Sequence, residues 1–325
     1  MLVAVTGATG FIGRHLTRAL AGRARLRLLV RRLEPAMAVE GAEPIVGDLD
    51  DHEVLVRLTR GADVVVHAAG LVRARSPEAF DRVNRSGTER LLTAAAQAGV
   101  RRILLVSSLA ARAPQVSAYA ASKAAAEAAL LARSGAFEAA IVRPPAVYGP
   151  GDKATLEIFR GLARGHLVVP GVRSARFSLI YVEDLAELLA GLALAPEHRT
   201  LLLEPDDGRK EGYGWEDIAA IAARALGHPV RLRLVPRPLA SAAAGIAEIC
   251  WRLFGLESPL ARDKLGELYH CDWVCRERAG PASLAWRPAV GFAEGVRRTL
   301  DWYRAAGWVR PARRSLTGTL GESCR

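Results

Sequence analysis

A chain of 325 residues, half of them hydrophobic and a quarter charged, is long enough to bury a large core as one domain or two joined ones, which excludes disorder as its default state. Its formal charge of +11 comes from arginines scattered from Arg14 to Arg325 without interleaved aromatics, so no nucleic acid is expected as a partner. The four cysteines, Cys250, Cys271, Cys275 and Cys324, contain a single close pair where a zinc ribbon needs two, so no metal is expected and the thiols read as reduced bystanders.

The chain opens directly on Leu2-Val3-Ala4-Val5, with no basic leader and no small-residue cleavage site, and a cytoplasmic location is the expectation. Apolar strand-length runs follow at residues 2–6, 26–30, 44–46, 64–67, 103–107 and 140–143, separated by helix-like stretches at 11–20, 53–59, 80–98 and 119–132. This alternation predicts six parallel strands covered by helices on both faces: an α/β, doubly wound parallel sheet of the Rossmann type over residues 1–150. Past Pro150 the alternation gives way to Gly and Pro punctuation, at Gly149-Pro150-Gly151, Pro170-Gly171, Gly212, Gly214, Pro236 and Pro238. A smaller, interleaved C-terminal substrate lobe is expected over 151–310, with a return to the sheet around 178–195. Residues 239–256 form an apolar run that carries Glu248 and Arg252 and follows Pro238, which fits a buried or surface-docked amphipathic helix and not an integral membrane span. The polar, aperiodic residues 311–325 read as a disordered tail.

Chemistry first appears at Thr6-Gly7-Ala8-Thr9-Gly10-Phe11-Ile12-Gly13, which follows the first strand and opens the first helix. Gly7 permits the tight turn, Gly10 lets backbone approach a pyrophosphate, and Gly13 lets helix and strand pack, while the helix N-terminus offers unpaired N–H groups to phosphates. The second strand ends in Val30-Arg31-Arg32, without the acid that would hold an adenosine ribose. Arg31 and Arg32 suit a 2′-phosphate, so NADP is favoured, with NAD possible.

Tyr119-Ala120-Ala121-Ser122-Lys123 puts a phenol and an ammonium on one face of a helix start, a spacing expected to lower the phenol's ordinary pKa of ~10. Reversible proton transfer to or from a carbinol oxygen requires such a group. Upstream, the fifth strand ends in Ser107-Ser108, at the sheet edge where ligands bind. Either serine can reach a substrate oxygen from there, and Ser108 is preferred.

Taken together, the glycine turn, the serine pair and Tyr-x-x-x-Lys resemble the extended short-chain dehydrogenase/reductase superfamily, in its NAD-dependent epimerase/dehydratase group. Further stretches are similar to that family. The resemblance implies cofactor contacts at Asp48 and Leu49 in Val46-Gly47-Asp48-Leu49, and at Ala68, Ala69 and Gly70 after the fourth strand. It implies further contacts at Asn84 in Val83-Asn84-Arg85-Ser86-Gly87-Thr88, and at Pro144 and Val147 in Arg143-Pro144-Pro145-Ala146-Val147-Tyr148-Gly149. With Thr9, Phe11 and Ile12 of the turn and Lys123 on the ribose hydroxyls, these complete the expected cofactor site, and Tyr119, Lys123 and Ser108 the catalytic set. A homodimer through the helices at 80–98 and 119–132 is a further possibility that the resemblance carries.

Departures narrow the chemistry. The segment from Ser108 to Tyr119 is short, and Leu109-Ala110 stands where dehydratases of this group carry an Asp-Glu pair, which argues against dehydration. Arg173, Arg176 and Arg262 are candidates to hold an anionic group of the substrate. The expected activity is reversible hydride transfer between the nicotinamide and a hydroxyl or carbonyl of a small substrate. The alternatives are a sugar-nucleotide epimerase with no net redox change, and a catalytically silent cofactor-binding subunit, against which the intact Tyr119 and Lys123 speak.

Overall fold

The computed structural model describes residues 1–33, 41–133, 135–195, 200–254, 262–278 and 284–309, with backbone alone for 246–254 and 262–263. The tail expected over 311–325, which includes Cys324, lies outside the described residues, as do the side chains of Cys250 and Arg262. The order of elements is β1 (Leu2–Thr6), α1 (Phe11–Leu20), β2 (Arg25–Val30), β3 (Ala42–Val46), α2 (His52–Thr59), β4 (Val64–His67), α3 (Pro77–Phe80), α4 (Gly87–Gln97), β5 (Arg102–Val106), α5 (Ala118–Leu131), β6 (Glu138–Val142) and β7 (Ala146–Tyr148). There follow α6 (Leu156–Ala163), β8 (His166–Pro170), β9 (Arg176–Phe177), β10 (Leu179–Tyr181), α7 (Val182–Leu194), β11 (Leu201–Leu203), α8 (Trp215–Leu226), β12 (Arg231–Val235), α9 (Arg237–Phe254), α10 (Arg262–Leu268), β13 (Asp272–Trp273) and α11 (Phe292–Ala305).

Seven strands form one sheet in the order β11-β6-β5-β4-β1-β2-β3, every pair parallel. Its central strands β1 and β4 read as near-continuous apolar runs because both faces are covered. On one face Val3, Val5, Leu28, Val66 and Val106 pack against Leu16 and Leu20 of α1 and Leu185 and Leu189 of α7. On the other, Leu2, Ala4, Val65, Ile103 and Ile141 pack against Leu55 of α2, Leu91 and Leu92 of α4 and Leu130 of α5. The doubly wound parallel sheet read from the sequence is therefore present, with β11 added beside β6 as a seventh strand.

The helix predicted at 80–98 is three pieces: α3, a π-helical turn over Asp81–Ser86, and α4. Ser76 caps α3 by accepting from the Ala79 N–H, and the π turn brings Asn84 inward, where it is 2 % exposed. The smaller lobe is built from short parallel pairs, β7 with β10, β8 with β12 and β9 with β13. An aromatic core that includes Tyr148, Phe159, Tyr181, Phe292 and Tyr303 joins them.

Candidate functional site

Because all strands of the sheet run parallel, their C-terminal ends share one edge, and the chain leaves β1 toward β2 on one side and returns to β4 on the other. A crevice opens at such a reversal. The turn at Gly7 to Gly10 sits there. Gly7 has φ +75°, and a Cβ on it would lie 2.5 Å from the Ala68 carbonyl carbon. A Cβ on Gly13 would lie 2.0 Å from the Gly7 carbonyl oxygen, so α1 is seated against the turn as closely as backbone allows. Gly10 caps α1 without a side chain, and no acid occupies the first turn. The first N–H groups of the helix are thus left to an anion, and the cradle fits a dinucleotide pyrophosphate. Gly13→Ala is expected to cost about 1–3 kcal/mol of stability by overpacking and to abolish dinucleotide binding, read as loss of the thermal shift that a nicotinamide dinucleotide is expected to give the parent.

A directed chain of hydrogen bonds stiffens the floor of this crevice. The Ala69 N–H donates to Thr6 Oγ1 at 3.2 Å, whose hydroxyl donates to His67 Nδ1 at 2.6 Å. His67 Nε2 donates to Thr88 Oγ1 at 2.9 Å, whose hydroxyl donates to the Asn84 carbonyl at 2.6 Å. This order assigns the Nε2–H tautomer, and burial drives the His67 pKa down to about 3, so the ring stays neutral. The Asn84 amide then accepts from the Leu71 N–H at 2.7 Å and donates to the Leu71 carbonyl at 3.0 Å and to Ser122 Oγ at 2.9 Å. The loop after β4, the π turn and α5 are locked together by one side chain.

Across the crevice stand the predicted acid/base residues. Ser117 caps α5 by accepting from the Ala120 N–H at 3.0 Å, which sets Tyr119 in the first turn. The Tyr119 and Ser108 hydroxyls are hydrogen-bonded. The Ala110 N–H donates into Ser108 Oγ at 3.2 Å, which leaves the serine proton for the phenol. Ser107 is separated from this pair, since its hydroxyl donates to the buried Glu127 carboxylate. Lys123 is buried and donates to the Val106 carbonyl at 2.8 Å. Burial draws its ammonium down to about 8, against the pull of Glu127.

The phenol departs from the expectation that Lys123 would acidify it. Burial pushes the Tyr119 pKa up to about 12; the Ser108 hydrogen bond opposes the rise and the Glu267 carboxylate adds to it. The sequence supplies the lysine spacing but not the burial of both groups. At neutral pH Tyr119 is therefore a proton donor.

Glu267 belongs to α10, which no motif in the chain places here. It accepts from the Ser117 hydroxyl at 2.7 Å and pairs with Lys264, whose Nζ stands 5.1 Å from the Tyr119 ring centroid. Gly266 lets α10 approach, because a Cβ there would lie 1.9 Å from the Val116 carbonyl oxygen. Arg112 also had no motif to mark it; it donates to the carbonyls of Val274 at 2.7 Å and Asp272 at 2.8 Å, tying the loop after Ser108 to the smaller lobe.

The remaining predicted residues fall as follows. Arg31 and Arg32 are exposed just past the end of β2. Asp48 is exposed past β3 and turns its carboxylate onto the Asp50 N–H at 2.8 Å, while Leu49 is buried beneath. Pro144 accepts from the Leu109 N–H at 2.8 Å, and Val147 is half-buried against the sheet core. Thr9, Phe11 and Ile12 are half-buried at the turn. Arg173 and Arg176 do not converge on the crevice as anion ligands; they pair with Glu216 and Asp217 of α8. Among the described residues no group of His, Cys, Asp and Glu is arranged to hold a metal.

A family model described as the NAD dependent epimerase/dehydratase family matches residues 3–200. The chain is similar to a ceramide reductase of Caulobacter vibrioides, 42% identical over 311 residues, covering 95% of this chain and 96% of the relative. It is similar also to a 4-hydroxy-2-methyl-3-oxo-4-farnesyl-3,4-dihydroquinoline-1-oxide ketoreductase of Stigmatella aurantiaca, 32% identical, covering 81% and 90%. In three dimensions it resembles MoeE5 in complex with UDP-glucose and NAD, with a TM-score of 0.71 at 22% identity, over 94% of this chain and 99% of that one.

Proposed function

The chain belongs to the NAD-dependent epimerase/dehydratase family, and from that premise we propose that it is an NADP-dependent ketoreductase acting on a ketone of a long-chain, N-acylated lipid of the ceramide type. The broader statement needs no proposal: the chain is an oxidoreductase of the extended short-chain dehydrogenase/reductase type. What carries the finer reading is the hydrogen-bonded pair of Ser108 and Tyr119, with the phenol holding its proton, in a chain so similar to a ceramide reductase.

Gly7, Gly10, Gly13 and the N-terminus of α1 would hold the pyrophosphate of the dinucleotide, Lys123 its ribose hydroxyls, and Arg31 and Arg32 a 2′-phosphate. When bound, that cofactor supplies the hydride. The protein's own part is to hold and protonate an oxygen. Ser108 and Tyr119 bind the ketone oxygen between them, and as negative charge develops there Tyr119 releases its proton to it, leaving a secondary alcohol. The Ser108 hydroxyl, whose hydrogen bond favours the ionised phenol, stabilises the phenolate left behind. The Asn84 clamp fixes α5 so that these hydroxyls do not wander.

The test is to give the purified protein NADPH and a detergent-dispersed N-acylated amino ketone with long alkyl chains. Consumption of NADPH with one equivalent of secondary alcohol, followed by mass spectrometry, is expected. No turnover, together with stoichiometric dinucleotide released only on denaturation, would instead assign the chain to the epimerases, which keep their cofactor through the cycle. For the cofactor choice, Arg31→Ser is expected to weaken NADPH by about 1.5–3 kcal/mol, the worth of hydrogen bonds to a charged group, and to leave NADH unchanged. Fluorescence titration of both cofactors reads the difference, and equal losses for the two would remove Arg31 from the 2′-phosphate.

A further inference from the structure

The segment from residue 218 to residue 247 contains no Asp or Glu, yet it carries Arg224, Arg231, Arg233 and Arg237. Three of these arginines fall on one continuous stretch of surface. In β12 the alternation turns Arg231 and Arg233 outward, opposite His166 and Val168 of β8. Arg237 follows at the exposed start of α9. The apolar side chains among them are exposed as well: Val168 is 58% and Leu239 64% exposed, with Ala242 and Ala243 open on the next turn. The opposite face of α9 is committed. Ala240 and Ala244, 3% and 0% exposed, pack on Leu265 and Tyr269 at α10, and α10 in turn brings Lys264 and Glu267 to Tyr119.

We infer that this face, β8 and β12 with the start of α9, docks on the surface of a membrane rich in anionic lipid. Basic side chains beside exposed apolar ones, with no carboxylate in β8, β12 or residues 237–247, complement a negatively charged interface: the arginines meet headgroups while Leu239 and Val168 enter the acyl boundary. No helix among the described residues is long and apolar enough to cross a membrane, so the contact is peripheral. One helix, α10, separates the docked helix from the proton donor. The inference deepens the lipid-ketone reading and rests on it for what the surface delivers: a substrate too apolar to leave the bilayer reaches Tyr119 along the α9 and α10 side of the smaller lobe.

The experiment is co-sedimentation of the full chain, without cofactor or substrate, with vesicles of phosphatidylcholine and phosphatidylglycerol in equal parts and with vesicles of phosphatidylcholine alone. Binding to the first only, released as salt is raised, is the expected result. Arg233→Gln and Arg237→Gln are each expected to weaken it roughly fivefold, and Leu239→Asp to lower it further, with melting temperature and NADPH affinity unchanged because these side chains stand in solvent. A protein that stays in the supernatant, that binds both vesicles alike, or that is captured by nucleic acid and not by vesicles overturns the surface, as do variants that bind like the parent. Turnover of the detergent-dispersed ketone by a protein indifferent to vesicles would remove the docking face and keep the reaction. Vesicle binding without turnover would do the reverse.

Discussion

Tyr119→Phe is expected to lower kcat by about 10²–10⁴-fold, the usual worth of a positioned general acid, with dinucleotide affinity unchanged. Around the ring, Phe80 stands 5.9 Å from it between centroids and Lys264 lies over it. A phenylalanine keeps those contacts and loses the hydroxyl alone. On the proposed reading, Ser108 then faces the substrate oxygen without the phenol beside it. The pH profile separates the two titratable groups of the site. Tyr119, raised to about 12, stays protonated through neutral and moderately alkaline solution, whereas Lys123, drawn down to about 8, loses its charge as pH rises through that value. The parent's kcat/KM is therefore expected to fall on the alkaline side near pH 8, before the phenol ionises. Steady-state rates of parent and variant across pH 6–10 are the measurement; a variant as fast as the parent would remove Tyr119 from the chemistry.

Glu127→Ala is expected to cost about 3–5 kcal/mol of stability, the penalty for leaving a buried charge without its partner. Glu127 is 4% exposed and accepts from Arg143 Nε at 2.9 Å and from a terminal guanidinium nitrogen at 2.6 Å, as well as from the Ser107 hydroxyl. Arg143 reaches on to Glu204, 1% exposed, at 3.5 Å, and Glu204 accepts from the Arg276 N–H at 2.7 Å and faces Arg112 at 3.5 Å. Charges alternate in sign from α5 through the ends of β6 and β11 to the smaller lobe. Removing Glu127 leaves Arg143 beside Lys123 with no carboxylate between them. Glu127→Gln, which keeps the shape and some of the hydrogen bonds, is expected to lose less. Urea denaturation of the three proteins checks the ranking, and a midpoint for Glu127→Ala equal to the parent's would show that Glu204 and solvent suffice to partner Arg143.

Local chemistry explains which parts could be read from the chain alone. Strands β1, β2, β4, β5 and β6 announce themselves because a parallel sheet buries both faces, so Val-rich runs stand out from the helices between them. β3 is an edge strand with Glu43 and Pro44 in it, three of its five residues exposed, and its beginning is invisible for that reason. β11 is three leucines, too short to tell from a helix turn, and the pairs of the smaller lobe join strands far apart in sequence, which no window can see. The glycine turn was legible because backbone sterics dictate its residues locally. Lys264, Glu267 and Arg112 were not, because only the packing of α10 and β13 on the loop after β5 brings them to the site. The spacing of Tyr119 and Lys123 was equally plain, but spacing does not report burial, which is why the phenol's proton is held more tightly than the motif suggests.

The π turn at Asp81–Ser86 carries a consequence for angular phase. Each residue of an α-helix advances the direction of its side chain by about 100°, so a single added residue lets the segment before Asn84 and the segment after it keep separate phases. Deleting one residue there would convert the turn to an ordinary helix and rotate α3, with Phe80, about a third of a turn relative to α4. Phe80, beside Tyr119, and the face of α4 that buries Leu91 and Leu92 then could not both keep their places. An aromatic ring beside the proton donor and a helix face packed on the sheet are compatible on one continuous segment because that segment is locally out of step with itself.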